Sequence, residues 1–184
     1  PAAQAIAVDG RPIGAAPAGH VYLALHKPPG VASTVRDRHA ARTVVQLVPP
    51  ELGRGARLYP VGRLDQDSEG LLLLTNDGGW AEHVLHPRYG VEREQAEWLE
   101  AGVELQEGVA ALGGLRGQTL TEDRRLADIL EPEPDPRLTW VRATIHQGWK
   151  RQLRRMFGEV GAPVRRLVRV RIGTLRLDTL ATGD

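Results

Sequence analysis

The sequence predicts an α+β domain, and three observations carry that reading. Extended apolar runs outnumber helical ones, the two kinds are mixed without βαβ regularity, and no internal repeat is visible. Taken in order, residues 5–10 read as one strand ending in the Asp9-Gly10 turn, and an Ala-, Gly- and Pro-rich linker runs on to residue 19. Residues 21–25 form a strand that enters the rigid turn Lys27-Pro28-Pro29-Gly30. Residues 43–48 make a short helix stopped by Pro49-Pro50, and residues 58–64 are extended. Residues 71–75 are a buried strand closed by Asn76-Asp77-Gly78. Asp77 then caps a helix through Ala81, Val84 and Leu85 that Pro87 ends.

The second half continues the mixture. Residues 91–105 are acidic and strand-like at their end, and residues 115–136 are a less regular excursion, a loop with one helical turn. Residues 140–145 alternate, with Val141, Ala143 and Ile145 on one face. Leu153, Met156, Phe157 and Val160 fall at i, i+3, i+4 and i+7, so residues 151–160 form an amphipathic helix. Gly161 stands where the helix should end, with Pro163 beyond it. Val168, Val170 and Ile172 alternate with Arg169 and Arg171, which predicts a strand with a basic face.

Composition narrows the classes. The 184 residues suit one medium domain or two small ones, with ordinary apolar content and many charges. Phe and Met occur once each, so aliphatic side chains must fill the core. The absence of cysteine excludes disulfides, thiolate chemistry and Cys-based zinc sites, and fits a reducing compartment. The longest apolar run, Gly70 and the four leucines after it, is far too short to cross a bilayer, and nothing reads as a signal peptide. A soluble, cytoplasmic protein is expected.

The formal net charge of +1 conceals an asymmetry. Residues 141–176 hold ten Lys/Arg against the single acid Glu159, a local charge of +9. Such a concentrated field is the footprint of a polyanion partner or, more plainly, a solvated arginine-rich face; the near-absence of acids favours nucleic acid.

Most chemical motifs are missing. There is no phosphate loop, dinucleotide fingerprint or His-Glu-x-x-His, and His83 with His86 lacks further ligands nearby in sequence, so no metal is expected. Ser68 lacks a nucleophile-elbow context and reads as a turn cap. The segment 59–78 differs, because polar residues are packed between two apolar runs. Arg63 and Asp65 alternate onto one side of a strand end, so they can share a cleft. A carboxylate beside a guanidinium stays ionised, available as nucleophile or base. Spacing alone favours a structural Arg–Asp pair beside a turn, since ion-pair networks look the same. A glycosidase pairing Asp65 with Asp67 or Glu69 is a third reading; carboxylates this close in sequence rarely straddle a sugar.

Gly62-Arg63-Leu64-Asp65, followed by Ser68-x-Gly70 and the Leu-Leu-Leu-Leu-Thr-Asn-Asp-Gly of residues 71–78, closely resembles the signature of the bacterial rRNA pseudouridine synthases of the RsuA/RluB family. Further blocks agree in order: Lys27-Pro28-Pro29-Gly30-Val31 with Thr34 and Asp37, then His86-Pro87-Arg88-Tyr89, then Gly148 with Arg151-Gln152-Leu153-Arg154-Arg155-Met156-Phe157 and Arg169-Val170-Arg171-Ile172-Gly173. The match runs from residue 20 to the C-terminus.

The resemblance implies the pseudouridine synthase fold over residues 20–184, a mixed and mainly antiparallel sheet with flanking helices and a central catalytic cleft. Residues 1–19 are then the tail of an upstream S4-like RNA-binding domain plus a linker. It also implies a cofactor-free isomerisation of a flipped uridine in ribosomal RNA, by a monomer. Asp65 would attack the nucleoside or abstract a sugar proton. Arg63 matches the residue that fills the space left by the flipped base, and Leu153 an apolar wall of the uracil pocket. Lys27, the basic helix bearing Arg151, Arg154 and Arg155, and the Arg169/Arg171 strand are the expected RNA contacts. The lead-in Tyr59-Pro60-Val61 and the leucine-rich block lean towards the large-subunit branch.

Two positions depart from the family. Gln95 stands where a Tyr would stack on the uracil, and Trp149 stands where a cation pairs with the catalytic carboxylate, leaving Lys150 to substitute. They define the alternative: a catalytically weakened, synthase-like rRNA-binding protein acting in ribosome assembly.

Overall fold

A computed structural model describes residues 7–8, 11–12, 19–38, 40–100, 116–119, 138–145, 151–159, 161, 163–177 and 180–183. Ala7–Val8 (β1) and Arg11–Pro12 (β2) pair antiparallel with each other. The residues expected to turn between them, Asp9 and Gly10, lie outside the described residues. The remaining strands are Tyr22–Lys27 (β3), Tyr59–Val61 (β4), Glu69–Thr75 (β5), Arg93–Glu100 (β6), Arg116–Thr119 (β7), Leu138–Ile145 (β8), Val164–Ile172 (β9) and Leu175–Arg176 (β10). The helices are Pro50–Gly53 (α1), Gly78–Leu85 (α2) and Gln152–Glu159 (α3), with 3-10 turns at Val44–Leu47 and Pro87–Tyr89. Among the described residues no helix is long and apolar enough to cross a membrane.

Strands β3 to β10 form one sheet in the order β3-β5-β9-β6-β8-β7, with β4 also on β5 and β10 on β9. Every pairing is antiparallel except β5 with β9. The mixed, mainly antiparallel sheet expected from the sequence is therefore present. Strand β5 explains its own leucine run. Leu71 and Leu73 pack with Val61, Val84, Val168 and Val170, while Leu72 and Leu74 pack on the opposite face with Leu25, Val31 and Val44. A strand covered on both faces needs apolar side chains at every position rather than at alternate ones. A third cluster joins Leu64, Ala143, Ile145 and Leu167 to Leu153 and Phe157, the apolar stripe of α3.

Local signals explain most boundaries. Asp77 caps α2, its carboxylate accepting from Trp80 N at 3.0 Å. The short helix expected over residues 43–48 is the 3-10 turn Val44–Leu47, which ends before Pro49; α1 then begins on Pro50, because a proline in the first helical turn lacks only a donor that has no partner there. The extended segment around residue 60 is shorter than expected: Gly62, at φ +82°, turns the chain out of the sheet after Val61. Within 115–136 the described residues 116–119 form a strand, not a loop, since pairing with β8 supplies their backbone partners; the rest lies outside the described residues. The largest correction concerns β9. Its expected basic face is not exposed at Arg169, which is 4 % exposed and turned onto the backbone, donating to Leu71 O and Arg63 O.

Candidate active site

The loop between β4 and β5 carries Asp65, and three devices fix its backbone. The buried Ser33 hydroxyl donates to Leu64 O at 2.8 Å and accepts from Leu64 N at 3.1 Å. Gly30 N donates to Gln66 O at 2.7 Å, and the Gln66 amide returns a bond to Gly30 O at 3.1 Å. Lys27, fully buried, donates to Pro28 O at 3.0 Å, Ser68 O at 2.6 Å and Gln66 O at 3.4 Å. An ammonium has three donors and no acceptor, so this set of carbonyls uses all of it. The Lys-Pro-Pro-Gly turn thus buttresses the Asp65 loop. Expected as an RNA contact, Lys27 is an internal brace instead, because burial beneath this loop removes it from any phosphate.

Burial also lowers the Lys27 pKa to about 8, against the partly compensating charges of Asp67, Glu69 and Asp65. The sign of the linkage follows. Between about pH 8 and 10.5 the unfolded chain holds this proton and the folded one does not, so stability rises with pH across that window; the contribution is lost as pH falls through 8. We expect the stability of wild type relative to Lys27→Met to increase by on the order of 2 kcal/mol from pH 8 to 10.5, allowing for screening near the surface. Urea titrations at several pH values would measure it. A pH-independent difference would show that burial does not lower this pKa.

Asp65 lines a cleft of about 350 Å³, within the size range of small-ligand sites. One wall is apolar, from Leu64, Leu153, Ile145 and Leu167. Arg63, Arg93, Arg151, Arg154 and Arg169 line it as well. The buried Arg93 guanidinium donates to Val84 O at 3.1 Å, and burial lowers its pKa. Arg169 donates to Leu71 O at 2.7 Å and Arg63 O at 3.4 Å; burial, then the charge of Arg93, lowers its pKa. Two like charges are thereby held at one end of the cleft.

The expected site residues separate into groups. Asp65, Arg63 and Leu153 meet at the cleft as the sequence suggested. Arg63 and Asp65 do not pair: among the described residues Arg63 is exposed and its side chain has no carboxylate partner, so the structural ion-pair reading fails. The cation nearest Asp65 is Arg151, with Nη1 at 4.0 Å from Oδ2. Arg154 is 10 % exposed in its side chain and committed to Val164 O at 2.9 Å, Asp67 O at 3.3 Å and Ser68 Oγ at 3.3 Å. Arg171 is tied to Gly173 O at 2.7 Å and Glu92 at 3.1 Å. Arg169, Arg154 and Arg171 are therefore structural contacts rather than exposed phosphate ligands; Arg155 is exposed. Gln95 pairs through its backbone with Ala143 and Arg169. Its side chain, with Trp149 and Lys150, lies outside the described residues.

Other candidates resolve into structure. Glu69 is buried and bonded to Arg166, and Asp67 is held by Arg151 and Arg154, so neither serves as a second glycosidase carboxylate. His83 stacks on Tyr89 at 3.9 Å, and His86 accepts from Arg88 N at 3.2 Å. No group of three or more metal-ligating side chains occurs among the described residues. Sequence reasoning missed Ser33 and Gln66; neither residue type carries a signal until the two loops are seen side by side.

Comparisons with known proteins agree with this geometry. The model of the RNA pseudouridylate synthase family matches residues 21–159. The chain is 35 % identical over 178 residues to the ribosomal large subunit pseudouridine synthase B of Bacillus subtilis, covering 89 % of this chain and 66 % of that protein. It is 39 % identical over 188 residues to the ribosomal large subunit pseudouridine synthase E of Xanthomonas axonopodis pv. citri, covering 88 % of this chain and 90 % of that one. A solved pseudouridylate synthase superposes with a TM-score of 0.69 at 28 % identity, over 90 % of this chain and 69 % of that chain. With the motif around Asp65, the mixed sheet and a family match that spans most of its length, the chain belongs to the RNA pseudouridylate synthase family.

Proposed function

We propose that residues 20–184 are the catalytic domain of an enzyme that isomerises a specific uridine of large-subunit ribosomal RNA to pseudouridine, with Asp65 as its catalytic carboxylate. The observation that carries the reading is that Asp65 lines a base-sized cleft together with the apolar side chains of Leu64, Leu153, Ile145 and Leu167. The chemistry asks for little else. The N1–C1′ bond of uridine breaks, the base rotates, the C5–C1′ bond forms, and the C5 proton leaves as N1 gains one. No electrons are exchanged, so no redox partner enters. Asp65 acts as nucleophile on the sugar or as base towards its proton. Arg63, exposed and uncommitted, is placed to occupy the gap left by the flipped base. The protein acts as a cytoplasmic monomer.

The test is incubation of wild type with unmodified large-subunit rRNA, followed by chemical mapping of pseudouridine. We expect product at one uridine, with RNA binding that weakens steeply as salt rises. Tight binding without product would instead favour the synthase-like assembly protein, a reading to which Gln95 lends weight. In that case Gln95→Tyr is the variant to assay next.

A further inference from the structure

We propose that Asp67 is a positioning residue that holds Arg151 beside Asp65, and that Arg151 is the cation against which Asp65 works. The inference rests on the proposed function and extends it to Arg151, which the sequence assigned to RNA binding, and to Asp67, which it weighed only as a second glycosidase carboxylate.

The geometry is specific. Arg151 grips the Asp67 carboxylate with both ends of its fork, Nη1 to Oδ1 at 3.0 Å and Nη2 to Oδ2 at 3.1 Å. Such bidentate pairs fix the plane of the guanidinium as well as its distance. The same Nη1 lies 4.0 Å from Asp65 Oδ2. The hydrogens of Nη1 are fixed in the guanidinium plane and directed by the Asp67 fork, so Arg151 acts on Asp65 as a nearby charge rather than as a hydrogen-bond donor. Asp67 is itself anchored from behind. Arg154 Nε lies 3.5 Å from its Oδ2, and Arg154 is tied to the backbone of Asp67 and of β9.

Backbone conformation points the same way. Arg151 sits just ahead of α3 at φ +52°, a left-handed conformation that a side chain adopts only against a steric cost. The surrounding structure must over-determine such a residue, and the Asp67 fork does so. Charges also balance across the lip of the cleft, Asp65 and Asp67 facing Arg151 and Arg154. The electrostatics agree: hydrogen bonding to Asp67 raises the Arg151 pKa, and the arginines outweigh burial in lowering that of Asp67. A guanidinium so committed is poorly placed to hold a phosphate and well placed to orient the neighbouring carboxylate.

The experiment is a double-mutant cycle read in single-turnover conversion of uridine-containing rRNA, with RNA affinity and thermal melting measured alongside. Asp67→Asn and Arg151→Gln should each slow conversion about 10- to 100-fold with affinity unchanged within about threefold. The double variant should be no slower than Arg151→Gln alone, because one residue acts through the other. Arg151→Lys, which keeps the charge and loses the fork, should recover part of the rate. Losses that multiply in the double variant would overturn the proposal. So would an Arg151→Gln variant that loses affinity at an unchanged rate, which is the signature of a phosphate contact. If Asp67→Asn fails to fold, the Arg151→Gln and Arg151→Lys pair decides by the same split between rate and affinity. A wild type that makes no pseudouridine would overturn the proposed function and this inference with it.

Discussion

Replacing Asp65 by Asn should abolish pseudouridine formation, a loss of about 10³-fold or more, while leaving the protein folded and able to bind RNA. The amide keeps the shape of the carboxylate and loses both its charge and its capacity to attack carbon or accept a proton. The surroundings tolerate the change. Asp65 is about a quarter exposed, its backbone is fixed by Ser68 N and the neighbouring Ser33 contacts, and its nearest cation is independently held by Asp67. Melting temperature should therefore shift by no more than about 2–3 °C, consistent with the small effects of changes at sites that are not packed. Mapping product formed by wild type and variant on the same rRNA checks it. A variant retaining a tenth of the wild-type rate would remove Asp65 from the chemistry and with it the central claim.

How much of this was legible beforehand depends on whether the signal is local. Asp77 as a helix cap, the stripe of Leu153 and Phe157 in α3, and the buried leucine run are set by neighbours within a few positions, so sequence pattern finds them. The placement of Asp65 with Arg63 was legible through the motif around them. Their supposed pairing was not, because alternation says which side a residue takes and nothing about which partner comes nearer. Arg151 reaches the site from 84 residues beyond Asp67. The arginine-rich stretch misled most, since charge counting cannot distinguish Arg155, which faces solvent, from Arg169, which is buried on the backbone of Leu71 and Arg63. Lys27 was misread for the same reason. A lone lysine beside prolines is an ordinary surface residue until three carbonyls are found around its ammonium.

Gly70→Ala should be the most damaging single-methyl addition in the described residues, costing about 3 kcal/mol or more and lowering the melting temperature on the order of 10 °C. Gly70 pairs with Arg169 where β5 runs parallel to β9. A Cβ there would stand 2.4 Å from Arg169 O and 2.5 Å from Arg169 N. Both are backbone atoms, so no rotamer change relieves the clash, and the strands must separate. The residue also sits at φ +104°, where a side chain is strained even in open space. Gly90→Ala separates the two causes. Gly90 has φ +62° and nothing within 4 Å of its would-be Cβ, so that variant bears only the conformational cost of about 1 kcal/mol. Separation of β5 from β9 would also disturb Arg169, which bonds to Leu71 O, and through it the floor of the cleft. Gly70→Ala should for that reason lose conversion at temperatures well below its melting point, whereas Gly90→Ala should not. If the two variants melt together, the close approach of these strands does not hold the site, and the rigidity of the Asp65 loop must come from Lys27, Ser33 and the Gly30–Gln66 pair.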